Sequence, residues 1–372
     1  MRERFNAVFD VILPSLVAIV AALLLGAGML LMLGANPIEG YAALLQGAFG
    51  STNALADTVV KATPLLLVAL GICIAFRGGV INIGGEGQMI LGALTATALA
   101  LAAPQAPGWL IVPLALILGF TAGAVWGGIP GFLKARFNVN EILSTIMMNA
   151  IAVQLMNMML RGPMIDKQQK GAAAIPQTPR LADAFDLPRL VPTRLHLGAL
   201  IALVLAFVVY FFLWRTATGY RIRAVGLNPH ASRYAGISVE RNIVLSLLLS
   251  GAFAGLAGAI QVYGVNHFMI TDGTAAGFTG SAGFNGIVAA LFGQLHPIGA
   301  IPASFFFGAL LVGANKLQRA VQVPAAFLTA LNGLVVVFVV SSEIWRRRRL
   351  RKRAIQEVMS EHEEPLAEPV GD

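Results

Sequence analysis

The chain is punctuated by apolar runs of about 20 residues, and this recurrence constrains it more than any motif. A helix rises 1.5 Å per residue, so a run of that length spans the roughly 30 Å of hydrocarbon in a bilayer. Barrel strands would instead alternate apolar and polar residues over about ten positions, which these runs do not. With 57% hydrophobic and 12% charged residues among 372, and a mean hydropathy of +0.76, the class is an all-α polytopic membrane protein.

Ten crossings are expected: Val11 to Leu33, Val59 to Phe76, Gln88 to Ala103, Trp109 to Ile129, Glu141 to Leu160, Leu197 to Trp214, Ile243 to Tyr263, Gly283 to Leu295, Ile298 to Gly313 and Val323 to Ser342. The first is too long for the apolar core of a signal peptide and lacks a small-residue cleavage site at the right distance, so it reads as a retained helix. With both termini inside, short inner loops and the cluster Arg346 to Arg353 hold seventeen of the 26 lysines and arginines. Six of the other nine lie in the long loop 161–196, which counts little for orientation. The positive charge therefore marks topology rather than a nucleic-acid partner. The expected organisation is a membrane domain over 1–342, with an inner loop at 215–242 and an outer loop at 161–196. A tail over 343–372, first basic against anionic lipid and then acidic and disordered, follows it.

Catalytic constellations are absent. There is no G-x-x-x-x-G-K-[ST] phosphate loop and no H-E-x-x-H, the five histidines share no metal-ligand spacing, and the single Cys73 lies inside an apolar run. Any nucleotide energy must come from another chain, no cofactor is implied, and a membrane enzyme is disfavoured.

Two glycine-rich breaks interrupt the apolar pattern. The first is GGVINIGGEGQ, Gly78 to Gln88, with Asn82, Glu86 and Gln88 among five glycines. Each helix-interior glycine costs about 1 kcal/mol relative to alanine, so a continuous helix is not expected there. The second runs from Thr271 to Gly286 and carries Phe284 and Asn285. Unwound backbone at membrane depth is tolerated only where protein or water shelters it, and paired interruptions in two halves of a transporter point to a substrate site. A lipid-facing Glu86 would cost several kcal/mol. It is therefore buried with partners, for which Asn82, Gln88 and Arg77 are candidates, or it lines an aqueous path; a hydrogen-bonding lock on the broken helix is the favoured reading. Asn149 and Asn157, about two turns apart, share a face with Gln154 nearby; they either hold helices together or line a path.

Between the sixth and seventh crossings lies RAVGLNPHASRYAGI, Arg223 to Ile237. Asn228 suits an N-cap, Pro229 the first helical position and Gly236 the position after the C-cap, so a short capped helix is expected. It reads either as an interfacial helix or as a docking knob carrying Arg223, Arg233 and Tyr234.

FRGGVINIGGEGQMILGAL (Phe76 to Leu94), RAVGLNPHASRYAGI and GFNGIVAALFGQLHPIGAI (Gly283 to Ile301) together resemble the permease subunits of ABC importers in the branched-chain amino acid and ribose permease superfamily, and within it the nucleoside branch. The resemblance runs from about Leu55 to Ser342. It implies a type II importer fold of about ten helices with two of them short or broken, located in a bacterial inner membrane with both termini cytoplasmic. It also implies a separate cytoplasmic ABC ATPase, a second permease expected to be a paralogue, and a binding lipoprotein or periplasmic protein. Arg223, Gly226, Asn228, Pro229, Arg233, Tyr234 and Gly236 would form the ATPase-coupling loop. Asn82, Glu86, Gln88, Asn149, Phe284 and Asn285 would line the substrate path. Riboflavin, a simple sugar or another small solute is the alternative cargo, and an ion-coupled secondary transporter the alternative class.

Overall fold

The computed structural model describes residues 17, 20–167 and 176–324, and eight further positions: 327, 330, 331, 333, 334, 337, 338 and 341. The beginning of the first expected crossing, half of the last one, the tail over 343–372 and residues 168–175 of the long loop lie outside the described residues. Two units emerge: one comprises the terminal segments 1–37 and 321–372, the other residues 38–320.

In the terminal unit, α1 (Val20–Met32) is a short apolar helix. The main unit holds α2 (Pro37–Phe49), α3 (Thr52–Arg77), α4 (Gly85–Ala102), α5 (Gly108–Phe137), α6 (Glu141–Arg161), α7 (Leu197–Arg215), α8 (Ala217–Leu227), α9 (Pro229–Tyr234), α10 (Val239–Gln261), α11 (Ala276–Thr279), α12 (Ala282–Phe292) and α13 (Pro297–Val321). No strand occurs among the described residues; the non-helical pairing is limited to the bridges Gln177 to Ile270 and Arg189 to His196.

Six of these helices are long and apolar enough to cross a membrane: α3, α5, α6, α7, α10 with its π-helical extension to Asn266, and α13. About ten crossings are thus not shown. Two of the expected ten change character for a physical reason. The segment from Gln88 starts earlier, at Gly85, so that its first turn carries the polar Glu86 and Gln88. The segment from Gly283 is an 11-residue helix, α12, about 16 Å long and half a bilayer. The 13-residue α2 was not anticipated because, at about 20 Å, it is shorter than the runs by which crossings are recognised.

Sequence explains several of the helix ends. Ser51 accepts from the Ala54 N–H at the start of α3, Asn140 from those of Ile142 and Leu143 at the start of α6, and Thr216 from that of Gly219 at α8. The α5 helix ends on Asn138 in the left-handed region, and Lys134 in its last turn reaches Glu141 in the first turn of α6 at 3.1 Å.

The core is built on α10, which packs against α5, α4 and α3. Lipid tails are as apolar as leucine, so helices in a bilayer gain by close van der Waals contact rather than by hiding from solvent. The α10 and α5 helices reach that contact through Gly251 and Gly255 facing Gly119, Gly123 and Gly127. A Cβ at Gly123 would lie 2.3 Å from the Gly251 carbonyl oxygen, and one at Gly255 would lie 2.2 Å from that of Gly119.

Replacing Gly123 with valine is accordingly expected to push α5 off α10 and to cost at least about 1–3 kcal/mol of overpacking. The check is thermal unfolding of the purified protein in detergent, where Gly128→Val, at a position where an added Cβ meets only the Leu248 side chain at 3.9 Å, should leave the transition in place.

Candidate substrate path and docking element

The first break leaves α3 at Arg77, turns through Gly79 in the left-handed region (φ +75°) and runs without helical structure to Gly84. It then lies about halfway along α10, because the Asn82 amide donates to Ser250 Oγ at 2.8 Å. An unpaired polar group in hydrocarbon costs several kcal/mol, and the stretch leaves few. Asn82 and Gln88 form a reciprocal amide pair at 2.9 and 3.1 Å, while Asn82 Oδ1 also accepts from the Gly84 N–H at 2.8 Å. Asn149 on α6 takes up two more backbone groups: its Oδ1 accepts from the Gly87 N–H at 2.8 Å and its amide donates to the Ile83 carbonyl at 2.9 Å. Thr145 Oγ1 receives the Ile83 N–H at 3.3 Å.

Glu86 looks the other way, toward the second break. Its Oε1 accepts from the Phe284 N–H at 3.1 Å and its Oε2 from the Thr279 hydroxyl. Phe284 is the third residue of α12, whose N-cap, Ser281, makes no capping bond with its own side chain. Glu86 thus caps α12 from another helix while sitting in the first turn of α4. The carboxylate lies where the N-terminal, positive dipole ends of α4 and α12 converge. The approach depends on two glycines: a Cβ at Gly283 would lie 2.4 Å from the Glu86 nitrogen, and one at Gly85 would lie 3.2 Å from Gly283 Cα. Glu86 is 1% exposed, is the one buried carboxylate among the described residues, and has no cation within 4 Å among them.

The six residues expected along the path therefore separate. Asn82, Glu86 and Gln88 are enclosed, and their polar atoms are used by protein partners. Asn149 is half-buried and braces the break, whereas Phe284 is 48% exposed and Asn285 half-buried beside it. The partners anticipated for Glu86 are corrected: Asn82 and Gln88 bond each other, and Arg77 reaches the carbonyls of Leu295 and Gln294 at 3.1 and 3.3 Å. On α6, Asn157 accepts from the Thr271 hydroxyl at 2.6 Å, so the shared face of Asn149 and Asn157 holds both breaks, while Gln154 points outward. Thr279, Thr145 and Ser250 escaped the sequence reading because isolated small hydroxyls carry no pattern of their own.

At the end of the unit that carries Arg77, α8 and α9 form the candidate docking element. The capping expectation is met in detail. Asn228 Oδ1 accepts from the Ala231 N–H at 3.0 Å, Pro229 opens α9, and Gly236 adopts φ +75°. The Gly236 and Ile237 N–H groups close a Schellman motif on the carbonyls of Arg233 and Ser232. Tyr234 is 99% and Leu227 88% exposed, both large side chains pointing away from the bundle. Arg223 does not join them. Its Nε donates to the Leu213 carbonyl at 2.9 Å and its guanidinium lies 5.5 Å from the centre of the Trp214 ring. Arg233 pairs with Glu240 across an exposed surface. A cavity of about 830 Å³ opens beside the element, bordered by Tyr220, Arg221, Ile237 and Arg241. Among the described residues no group of three or more His, Cys, Asp or Glu side chains could hold a metal ion.

Comparison with known proteins gives a consistent picture. The family of branched-chain amino acid transport system permease components matches residues 54–340. The chain is 39% identical to the guanosine ABC transporter permease protein NupP of Bacillus subtilis (strain 168), over 89% of this chain and 93% of the relative. It is 33% identical to the glucose ABC transporter permease protein TsgB13 of Haloferax volcanii, over 89% and 88%. A second guanosine permease of the same Bacillus strain, NupQ, is 32% identical over 68% of this chain and 78% of its own length. No solved structure matches the chain significantly.

The junction of the two breaks yields a graded prediction. Glu86→Ala strips the acceptor from the part-buried Phe284 N–H and leaves the Thr279 hydroxyl only the Ala275 carbonyl, and it is expected to cost about 1–3 kcal/mol. Glu86→Gln, which keeps one carbonyl acceptor, should cost distinctly less. Thermal unfolding of the two variants in detergent measures the order, and equal losses would show that the hydrogen bonds do not hold the junction.

Proposed function

The chain belongs to the family of permease components of branched-chain amino acid transport systems, and on that premise we propose that it carries a nucleoside through the membrane within an ATP-driven importer. It is a multi-pass transport subunit rather than an enzyme. The observation that carries the proposal is the meeting of α4 and α12 end to end, about halfway along α10, with Phe284 exposed and Asn285 half-buried beside the junction. Discontinuous helices that meet inside a bundle are how many transporters build a site which opens to either side in turn. An aromatic ring next to an amide suits a neutral solute with a stacking base and hydrogen-bonding edges.

The similarity to a guanosine permease over most of both chains favours a nucleoside. The comparable similarity to a glucose permease keeps a simple sugar as the second reading, with riboflavin or another small solute behind it. Ion-coupled transport is disfavoured because Glu86, the buried carboxylate, spends its oxygens on Thr279 and the end of α12. Alternating access on this reading shifts the broken segments when a cytoplasmic ATPase moves the docking element.

That ATPase is assigned to α8 and α9, with Leu227, Asn228, Pro229 and Tyr234 as the surface it grips. Their end of the bundle is taken as cytoplasmic because Arg77, Lys134, Arg136, Arg215, Arg221, Arg233 and Arg241 gather in its short connections. The outer loop 161–196 then faces a binding lipoprotein or periplasmic protein. Two similar permeases of one Bacillus strain, both named for guanosine, support a paralogous second permease beside this chain.

Three outcomes are expected. The double replacement Leu227→Ala with Tyr234→Ala should release the ATPase from the detergent-solubilised complex while leaving the permease inserted, and unchanged co-purification would remove the docking assignment. In proteoliposomes holding the complete complex, labelled guanosine uptake should be competed by nucleosides and not by glucose or riboflavin. Glu86→Gln should lose only a modest part of that uptake; complete loss with an intact complex would move Glu86 from lock to path.

A further inference from the structure

Arg77 immediately precedes the first break and Glu86 lies just past it, in the first turn of α4, and the two reach α12 from opposite ends. Glu86 receives the Phe284 N–H at the helix start. Arg77 donates through Nε to the Leu295 carbonyl at 3.1 Å and through its terminal nitrogen to the Gln294 carbonyl at 3.3 Å, just past the helix end. Those two residues hold consecutive left-handed conformations, φ 59° and 54°, that side chains other than glycine and asparagine rarely take. Something must compensate for that turn, and the guanidinium on its two carbonyls does so. Between the ends, α12 lies along α3, where a Cβ at Gly286 would come within 2.6 Å of Val68.

The same arginine is joined to the docking element. Arg77 and Arg223 each place a guanidinium 5.5 Å from the centre of the Trp214 ring, and His296, one residue past the braced turn, packs on that ring at 4.9 Å. Backbone contact reinforces the link: a Cβ at Gly226 in α8 would lie 2.0 Å from the Arg77 carbonyl oxygen, and one at Gly79 would lie 2.9 Å from Gly226 Cα. No compressible side chain stands between α8 and the break.

We propose that the segment Arg77 to Glu86 is a two-ended bracket that holds α12 as one rigid body and fastens it to α8, and that Arg77 is a positioning residue for transport. The bracket stands on contacts alone; its role in transport rests on the permease reading above. A displacement of α8 moves Gly79 and the Trp214 ring, and the half-helix follows as a unit instead of bending at the Gln294 turn.

The test uses Arg77→Lys, which keeps the charge but loses the planar fork and its fit to the ring. Amide exchange on the full chain in lipid nanodiscs reads the bracket without reference to transport. Protection should fall by roughly fivefold or more at the near end, residues 293–296, and also at the far end, residues 282–284. Loosening confined to the near end overturns the bracket. Trp214→Leu, which removes the shared ring and no charge, should give the same two-ended pattern and decides the matter if the lysine variant does not fold. In the assembled complex, Arg77→Lys should leave ATPase co-purification intact and raise the ATP hydrolysed per solute imported by roughly tenfold. An unchanged ratio overturns the positioning role. A wild-type complex that imports no nucleoside refutes the proposed function instead, and the exchange measurement still decides the bracket.

Discussion

Everything in this structure depends on how two helix ends are satisfied inside a bundle of membrane-spanning helices. A half-helix brings free N–H groups and the positive end of its dipole to a depth where neither is tolerated alone. The α4 and α12 helices start at one point, where the Glu86 carboxylate takes an N–H of α12 and Asn149 takes one of α4. Gly85 and Gly283 are needed because the two backbones must nearly touch for a side chain in the first turn of α4 to cap α12. The amide pair of Asn82 and Gln88, with Asn149 behind it, answers the same demand for the unwound residues that lead into α4.

The glycine contacts of α5 on α10 belong to the same logic. Small residues let backbones approach until dispersion between them outweighs the contacts either could make with lipid. A firmly packed α10 then offers Ser250 as a fixed point for the first break. The rigid part of the bundle is what makes a stable interruption possible; the glycines that hold α5 to α10 and those that break the chain at residues 78–87 do opposite things with the same missing side chain.

Much of this was legible in the sequence where the signal is local. Clustered glycines announce the breaks, and Asn228, Pro229 and Gly236 fix α9 because caps act within a few residues of themselves. The lock reading of Glu86 could be framed from the cost of a lipid-facing carboxylate, but its partners could not. Thr279 and Phe284 are almost two hundred positions away, whereas the nearer Asn82 and Gln88 were the natural candidates and turned out to need each other. The direction of Arg223 was equally hidden: helical spacing puts it on α8, but only the end of α7 beneath it, with the Leu213 carbonyl and the Trp214 ring, turns it inward. Length misled at α12, where apolar character suggested a crossing and the helix is half that.

The enclosed state of Asn82, Glu86 and Gln88 also bears on how a solute would pass. Polar groups that already bond one another offer little to a passing molecule, because a new hydrogen bond must be made at the expense of an old one of similar strength. On the proposed reading, the surface left to a solute at this junction is the Phe284 ring, the Asn285 amide and the apolar helix faces around them. Such a surface favours weak contact, and weak contact suits an importer whose cargo must leave on the far side as readily as it enters. On the same proposal, recognition strong enough to choose one solute among many belongs to the protein that delivers it, while the permease contributes a junction held together by its own hydrogen bonds.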